Sequence, residues 1–217
     1  MTYIIGMVSQ KGGVGKSTIA RLIAREAAEG GLSVKVADLD HQQETTAKWQ
    51  RRRAANNIQP EIRVETFQNV RSALKEANNF DLYIFDGAPH TSTDTKLVAQ
   101  NASLVVIPTS DSDEDLEPAV LLAHDLKREG ISPDCIAFAL SLVSDSKNEL
   151  EAARDYLRRT PYQILDGEIP FRTGFRQALA EGRAVTETRY KSLVSRADRL
   201  AQSIIDAAAS AGERRVA

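Results

Sequence analysis

The stretch Lys11-Gly12-Gly13-Val14-Gly15-Lys16-Ser17-Thr18, set directly behind the apolar run Tyr3-Ile4-Ile5-Gly6-Met7-Val8, constrains the chain more than any other. Apolar residues, then glycines, then a helical pattern read as a strand, a tight turn and the start of a helix. A turn of that kind gathers backbone N–H groups around one point at the positive end of the helix dipole. Its glycines let the backbone approach closely and adopt conformations that a Cβ resists. Such a point attracts phosphate. Gly12, Gly13, Val14, Gly15 and Thr18 supply the cradle, Lys16 reaches the outer phosphates, and Ser17 offers its hydroxyl to Mg²⁺, so the stretch predicts a nucleotide site.

The remaining chain reads as alternating strands and helices. Ile19, Leu22, Ile23 and Ala27 recur at helical spacing and stop at Gly30-Gly31; residues 33–38 follow as a second strand, so a right-handed crossover places both strands in one parallel sheet. Residues 45–57 form a helix candidate with Trp49 and the run Arg51-Arg52-Arg53, which reads either as a solvated face or as a surface touching nucleic acid or a partner. A short strand at 62–66 and a short helix at 70–77 precede Leu82-Tyr83-Ile84-Phe85-Asp86. Four apolar residues ending on an aspartate describe a buried strand that delivers one carboxylate to the sheet edge where open α/β sheets bind ligands, and Asp86 is expected to face the Mg²⁺. Asp81, just before it, reads as a turn residue. Helices at 93–101, 116–129, 148–159 and 190–209 and strands at 104–108 and 136–143 complete the pattern, and residues 213–217 read as a frayed tail. The last helix carries Leu193, Ala197, Leu200, Ile204 and Ala208 on one stripe, which suits packing on the domain. The expectation is a single α/β domain over residues 1–217: three layers, with a mainly parallel central sheet flanked by helices.

Composition narrows the function classes. A net charge of −2 gives no global attraction to nucleic acid or membrane, so any basic surface is local. The single cysteine, Cys135, excludes an internal disulfide framework, fits a reducing cytoplasm and reads as a buried thiol. No apolar run approaches the length of a membrane span, and the N-terminus lacks a signal-peptide pattern, so a cytoplasmic protein is expected.

The loop departs from the common phosphate-loop pattern in one informative way: Gln10 stands where a glycine is expected, and a second lysine, Lys11, opens the motif. Lys-Gly-Gly-x-Gly-Lys-Ser/Thr resembles the deviant loop of the ParA/MinD/nitrogenase-iron-protein group of ATPases. The resemblance implies a P-loop NTPase fold, ATP and Mg²⁺ as cofactors, and a homodimer across which Lys11 reaches the partner's nucleotide. Asp38-Leu39-Asp40-His41-Gln42 resembles the group's Asp-x-Asp-Pro-Gln segment, with His41 in place of proline. By that likeness Asp40 positions the attacking water, Asp38 lies near the metal, and Asp86 meets the metal partly through water. Gly87-Ala88-Pro89 matches the small-residue loop that responds to the terminal phosphate. The adenine belongs near Ser144-Asp145 and Pro170-Phe171. The acidic stretch 111–115 lacks the prolines common in plasmid-partition relatives and reads as a dimer- or partner-facing loop or as an acidic helix cap.

Residues 169–185 are similar to a partition-ATPase segment in which an arginine-bearing helix ends in Glu-Gly. From residue 151 onward there are 12 Lys/Arg against 9 Asp/Glu, about +3 where the rest of the chain is about −5. Arg172, Arg176, Arg183, Arg189 and Lys191 are therefore candidates for a phosphate-contacting DNA patch that two subunits would enlarge, or else charged outer faces of two helices. The resemblance implies an ATPase that dimerises on ATP, holds nonspecific double-stranded DNA while closed, associates with the nucleoid in that state, and partitions plasmid or chromosomal DNA with a cargo-bound ParB-type stimulating protein. Because the first strand begins at Tyr3, no N-terminal helix-turn-helix domain is expected. The same engine could instead position a protein cargo such as carboxysomes or chemotaxis clusters. A MinD-like membrane ATPase would need a basic amphipathic tail, and a nitrogenase-type electron-transfer ATPase paired cluster cysteines.

Overall fold

The computed structural model describes residues 2–41, 43–87 and 92–216. Among the described residues, eight parallel strands make the central layer: β1 (Tyr3–Met7), β2 (Val34–Asp38), β3 (Arg63–Thr66), β4 (Leu82–Asp86), β5 (Leu104–Thr109), β6 (Ile136–Val143), β7 (Gln163–Ile164) and β8 (Ile169–Pro170). Their order is β3-β2-β4-β1-β5-β6-β7, with β8 also paired to β6. The helices are α1 (Lys16–Glu29), α2 (Thr45–Ala55), α3 (Val70–Ala77), α4 (Ser92–Asn101), α5 (Asp113–Arg128), α6 (Lys147–Arg158), α7 (Thr173–Ala180) and α8 (Lys191–Val216). Among the described residues none is long and apolar enough to cross a membrane.

Strand alternation sorts the core into two halves. Ile5 and Met7, Leu82 and Ile84, and Leu104 and Val106 face a layer that also takes in Ile19, Leu22 and Ile23 of α1, Trp49 of α2, Phe175 of α7 and Leu200 and Ile204 of α8. Tyr83 and Phe85, Val105 and Ile107, and Phe138 and Leu140 face the opposite layer, built on α3, α4, α5 and α6. The central strands are apolar on both faces because both faces are covered. The expected three-layer α/β architecture is what forms.

Several local expectations change. The last helix does not fray at residue 213: it runs to Val216, because Ala208 and Ala211 carry the apolar stripe onward and Gly212 lies against the Tyr3 ring. Cys135 is half-buried at the edge of the core, in a short 3-10 turn. Arg53 is no part of a solvated face; it is 1% exposed. Of the two readings of the acidic stretch, the helix cap is the one that forms: Asp113, Glu114 and Asp115 make the first turn of α5, where their charge suits the helix dipole. Asp81 is the expected turn residue, its Oδ2 accepting from Ser33 N at 2.9 Å and Ser33 Oγ at 2.6 Å.

Candidate functional site

The strand order reverses at β1, whose neighbours are β4 and β5, and the glycine-rich loop leaves its C-terminal end. Ligands bind open α/β sheets at such a switch point. Register brings the ends of three strands together there, with Asp86 beside both Met7 and Asp38. Gly13 and Gly15 take left-handed backbone angles, φ 81° and 104°. At Gly15 a Cβ would also collide with the Ser141 hydroxyl of β6. The N-terminus of α1 has no side-chain cap and no acidic residue in its first turn, so its orphan N–H groups are left for an anion.

Lys16 is 7% exposed, its Nζ donating to Ser9 Oγ at 2.7 Å and Lys11 O at 3.4 Å. Burial draws its pKa below the usual lysine value, against the opposing pull of Asp86 and Asp40. Ser17 Oγ donates to Asp86 Oδ1 at 3.1 Å, and Thr46 Oγ1 donates to Asp86 Oδ2 at 2.6 Å. Burial pushes the Asp86 carboxyl up, with Thr46 among the groups that oppose it. Lys16, Ser17, the glycines and Asp40 line one cleft of about 250 Å³, together with Arg21 from α1 and Thr45 at the start of α2. Val14 is buried behind the loop.

Asp38 pairs in register with Asp86 and also anchors the next helix. Fully buried, it accepts from Asp40 N at 3.1 Å and from Thr46 N and Ala47 N at 3.0 Å, pinning the start of α2 where Glu44 provides no side-chain cap. Burial raises its pKa, against those three backbone donors. Asp40 Oδ1 accepts from Gln43 N at 3.1 Å and holds the turn beneath the cleft. Gln42 and residues Ala88-Pro89 of the small-residue loop lie outside the described residues.

Lys11 points away from this cleft. Its Nζ donates to Glu114 O at 2.5 Å and to Asp115 Oδ1 at 3.0 Å, at the start of α5. On that side a larger cleft, about 700 Å³, opens between the loop, α4 and α5. Pro170 is buried at the end of β8, and Phe171 is 57% exposed, its N donating to Val143 O at 2.9 Å. Since Ser141, behind Gly15, pairs with Ile169, both residues sit on the sheet edge next to the loop.

The five basic candidates are spread over the surface, with Arg183 and Arg189 lining one shared cleft between α7 and the start of α8. Arg172, half-buried, pairs with Asp145, and Arg183 pairs with Glu181 at 3.3 Å. Arg176 lies over Phe171 at 5.0 Å and Arg189 over Tyr190 at 5.1 Å, while Lys191 is exposed at the start of α8.

Sequence reasoning missed Arg21 and Thr46. The signal for Arg21 was present: a charge among the apolar positions 19, 20, 22, 23 and 24 of α1, all buried. Thr46 carries no such mark, since its partner Asp86 lies in another strand.

The model of the CobQ/CobB/MinD/ParA nucleotide binding domain matches residues 5–185. Among solved structures, the septum site-determining protein MinD from Pyrococcus horikoshii OT3, complexed with Mg-ADP, is similar at 17% identity and TM-score 0.74, covering 94% of this chain and 96% of that one. A candidate plasmid partition protein from Borrelia burgdorferi B31, bound to AMPPNP, is similar at 15% identity and TM-score 0.72, covering 95% and 99%. A variant of McdA from Cyanothece, in complex with ATP, is similar at 15% identity and TM-score 0.69, covering 94% and 96%. No curated protein sequence matches the chain.

Proposed function

Because the chain belongs to the CobQ/CobB/MinD/ParA nucleotide-binding family, we propose that it is a ParA-type ATPase that binds ATP and Mg²⁺, closes into a homodimer on ATP, and holds nonspecific double-stranded DNA until hydrolysis releases it. A cargo-bound ParB-type protein stimulates hydrolysis locally, and the work is partition of plasmid or chromosomal DNA in the cytoplasm, on the nucleoid while ATP is bound. The observation that carries this reading is the pair of lysines with opposite aims: Lys16 is buried in the phosphate cradle, whereas Lys11 faces outward over α5.

The cradle fits a polyphosphate. Gly12 and Gly13 leave open space where a Cβ would stand, and the uncapped start of α1 supplies N–H donors. Lys16 exchanges Ser9 and the Lys11 carbonyl for outer phosphate oxygens. Ser17 and Asp86 are hard oxygen donors, and among the described residues no cluster of three acidic, His or Cys groups could hold a metal. Mg²⁺, which keeps waters and leans on phosphate oxygens, suits so sparse a set, and when bound it neutralises charge on the terminal phosphates. Ser17 and Asp86 would hold it, Asp86 partly through water, with Asp38 beside them fixing the start of α2. Asp40 orients the attacking water, Lys11 serves the partner's nucleotide, and Pro170 and Phe171 flank the adenine. Arg172, Arg176, Arg183, Arg189 and Lys191 contact DNA phosphates once two subunits pool their charge.

Co-sedimentation with double-stranded DNA in ADP, ATP and a nonhydrolysable analogue tests the proposal. Retention is expected with ATP and the analogue and not with ADP; equal retention in all three overturns it.

A further inference from the structure

Arg21 lies one helical turn beyond Ser17 on α1, 5% exposed, at the wall of the phosphate cleft. Its Nε donates to Thr46 Oγ1 at 3.0 Å, Thr46 Oγ1 donates to Asp86 Oδ2 at 2.6 Å, and Ser17 Oγ donates to Asp86 Oδ1 at 3.1 Å. Nη2 is buried without a partner. The contrast with the other buried arginine is sharp. Arg53 bonds Glu187 with both terminal nitrogens, at 2.6 and 3.0 Å, and the carbonyls of Gln59, Pro60 and Gly182 as well. Arg21 also lies over the Trp49 ring, at 5.7 Å, but that contact leaves Nη2 without an acceptor. A buried cation with an unfilled donor is costly to keep for packing alone.

The polarity of the relay follows from its members. A guanidinium only donates, a carboxylate only accepts, and a hydroxyl has one proton to give. With Arg21 donating to Thr46, the Thr46 proton goes to Asp86 Oδ2. That bond turns Oδ1 toward Ser17, whose proton is committed in turn, and the Ser17 lone pairs remain for a cation. We propose that Arg21 is a positioning residue which, acting through Thr46, fixes Asp86 and so sets the Ser17 hydroxyl in the orientation that receives Mg²⁺. The inference rests on the assignment of Ser17 and Asp86 to the metal.

The experiment titrates a fluorescent ADP analogue into the full chain, once with Mg²⁺ and once with EDTA, and reads the gain in affinity that the metal brings. Ser17→Ala is expected to abolish the gain. Arg21→Met, which also removes a charge from the wall of the phosphate cleft, is expected to lose more affinity with Mg²⁺ than in EDTA, cutting the gain about tenfold, the usual consequence of losing a partner of a metal ligand. Arg21→Lys keeps the buried charge but has no Nε–H to reach Thr46, and is expected to show the same loss should the methionine variant fail to fold. Thr46→Val is expected to match it, with the double variant no worse than either single one, because both break the same relay. A full Mg²⁺ gain in the Arg21 variants, with the gain lost in Ser17→Ala, overturns the relay alone. Equal losses in Mg²⁺ and EDTA also overturn it, in favour of packing. A gain that survives Ser17→Ala overturns the metal assignment and the relay together.

Discussion

Three consecutive arginines divide between solvent and core, since each helical residue turns about 100° from the last. Arg51 and Arg52 are exposed, and Arg53 turns inward to Glu187, a residue 134 positions away. Nothing in the local sequence says which of the three turns in. Removing one member of a buried pair strands the other, at about 3–5 kcal/mol. Arg53→Ala should therefore lower the thermal midpoint by roughly ten degrees, while Arg51→Ala leaves it unmoved; calorimetry checks both, and equal midpoints would show that the clamp on Glu187 contributes nothing. Lys16 was the opposite case, legible at once from the loop. Lys16→Ala is expected to abolish ATP binding with the fold intact, measured by nucleotide titration, and unchanged affinity would refute its place in the cradle.

At the scale of elements, α2 joins two parts of the chain that the sequence treats separately. Its start is held by Asp38, while its body grips the segment after α7: Trp49 Nε1 donates to Arg183 O at 3.0 Å, Arg53 Nη1 to Gly182 O at 3.2 Å, and Asn56 Nδ2 to Glu181 O at 2.8 Å. Gly182, at φ 82°, permits the approach, because a Cβ there would strike the Arg53 backbone. The Glu-Gly that ends the arginine-bearing segment was readable as a helix stop; its docking on α2 was not. The short strand β7 was equally hidden, two residues long and recognisable only by pairing with β6. In this segment, Arg172→Gln with Arg176→Gln is expected to weaken DNA retention and flatten the slope of log affinity against log salt by about one to two units, since each lost phosphate contact removes about 0.9. An unaltered slope places the DNA contacts elsewhere.

For the whole molecule, the proposed cycle turns on one lysine facing inward and one facing outward. Closing a dimer through Lys11 requires it to exchange Asp115 and the Glu114 carbonyl of its own chain for the partner's nucleotide. Asp40 lines the cleft but holds only a turn, so its loss should spare binding and stop turnover. Asp40→Ala with ATP and Mg²⁺ is expected to remain a dimer by light scattering, where the unaltered chain returns to monomer as ATP is consumed; a variant that turns over normally would remove Asp40 from the reaction.

The order of strands and helices, the phosphate loop and the strand that ends on Asp86 were all determined by the sequence, because backbone geometry, periodicity and a glycine turn are local properties read over a few residues. Tertiary structure alone decided that Asp38 caps a helix, that Arg53 is buried, and that Arg21, Thr46, Asp86 and Ser17 form one relay. Except for the Asp38 bonds, which cross the short turn between β2 and α2, each joins elements far apart in the chain, and such a hydrogen bond exists only once the fold has set its two ends side by side.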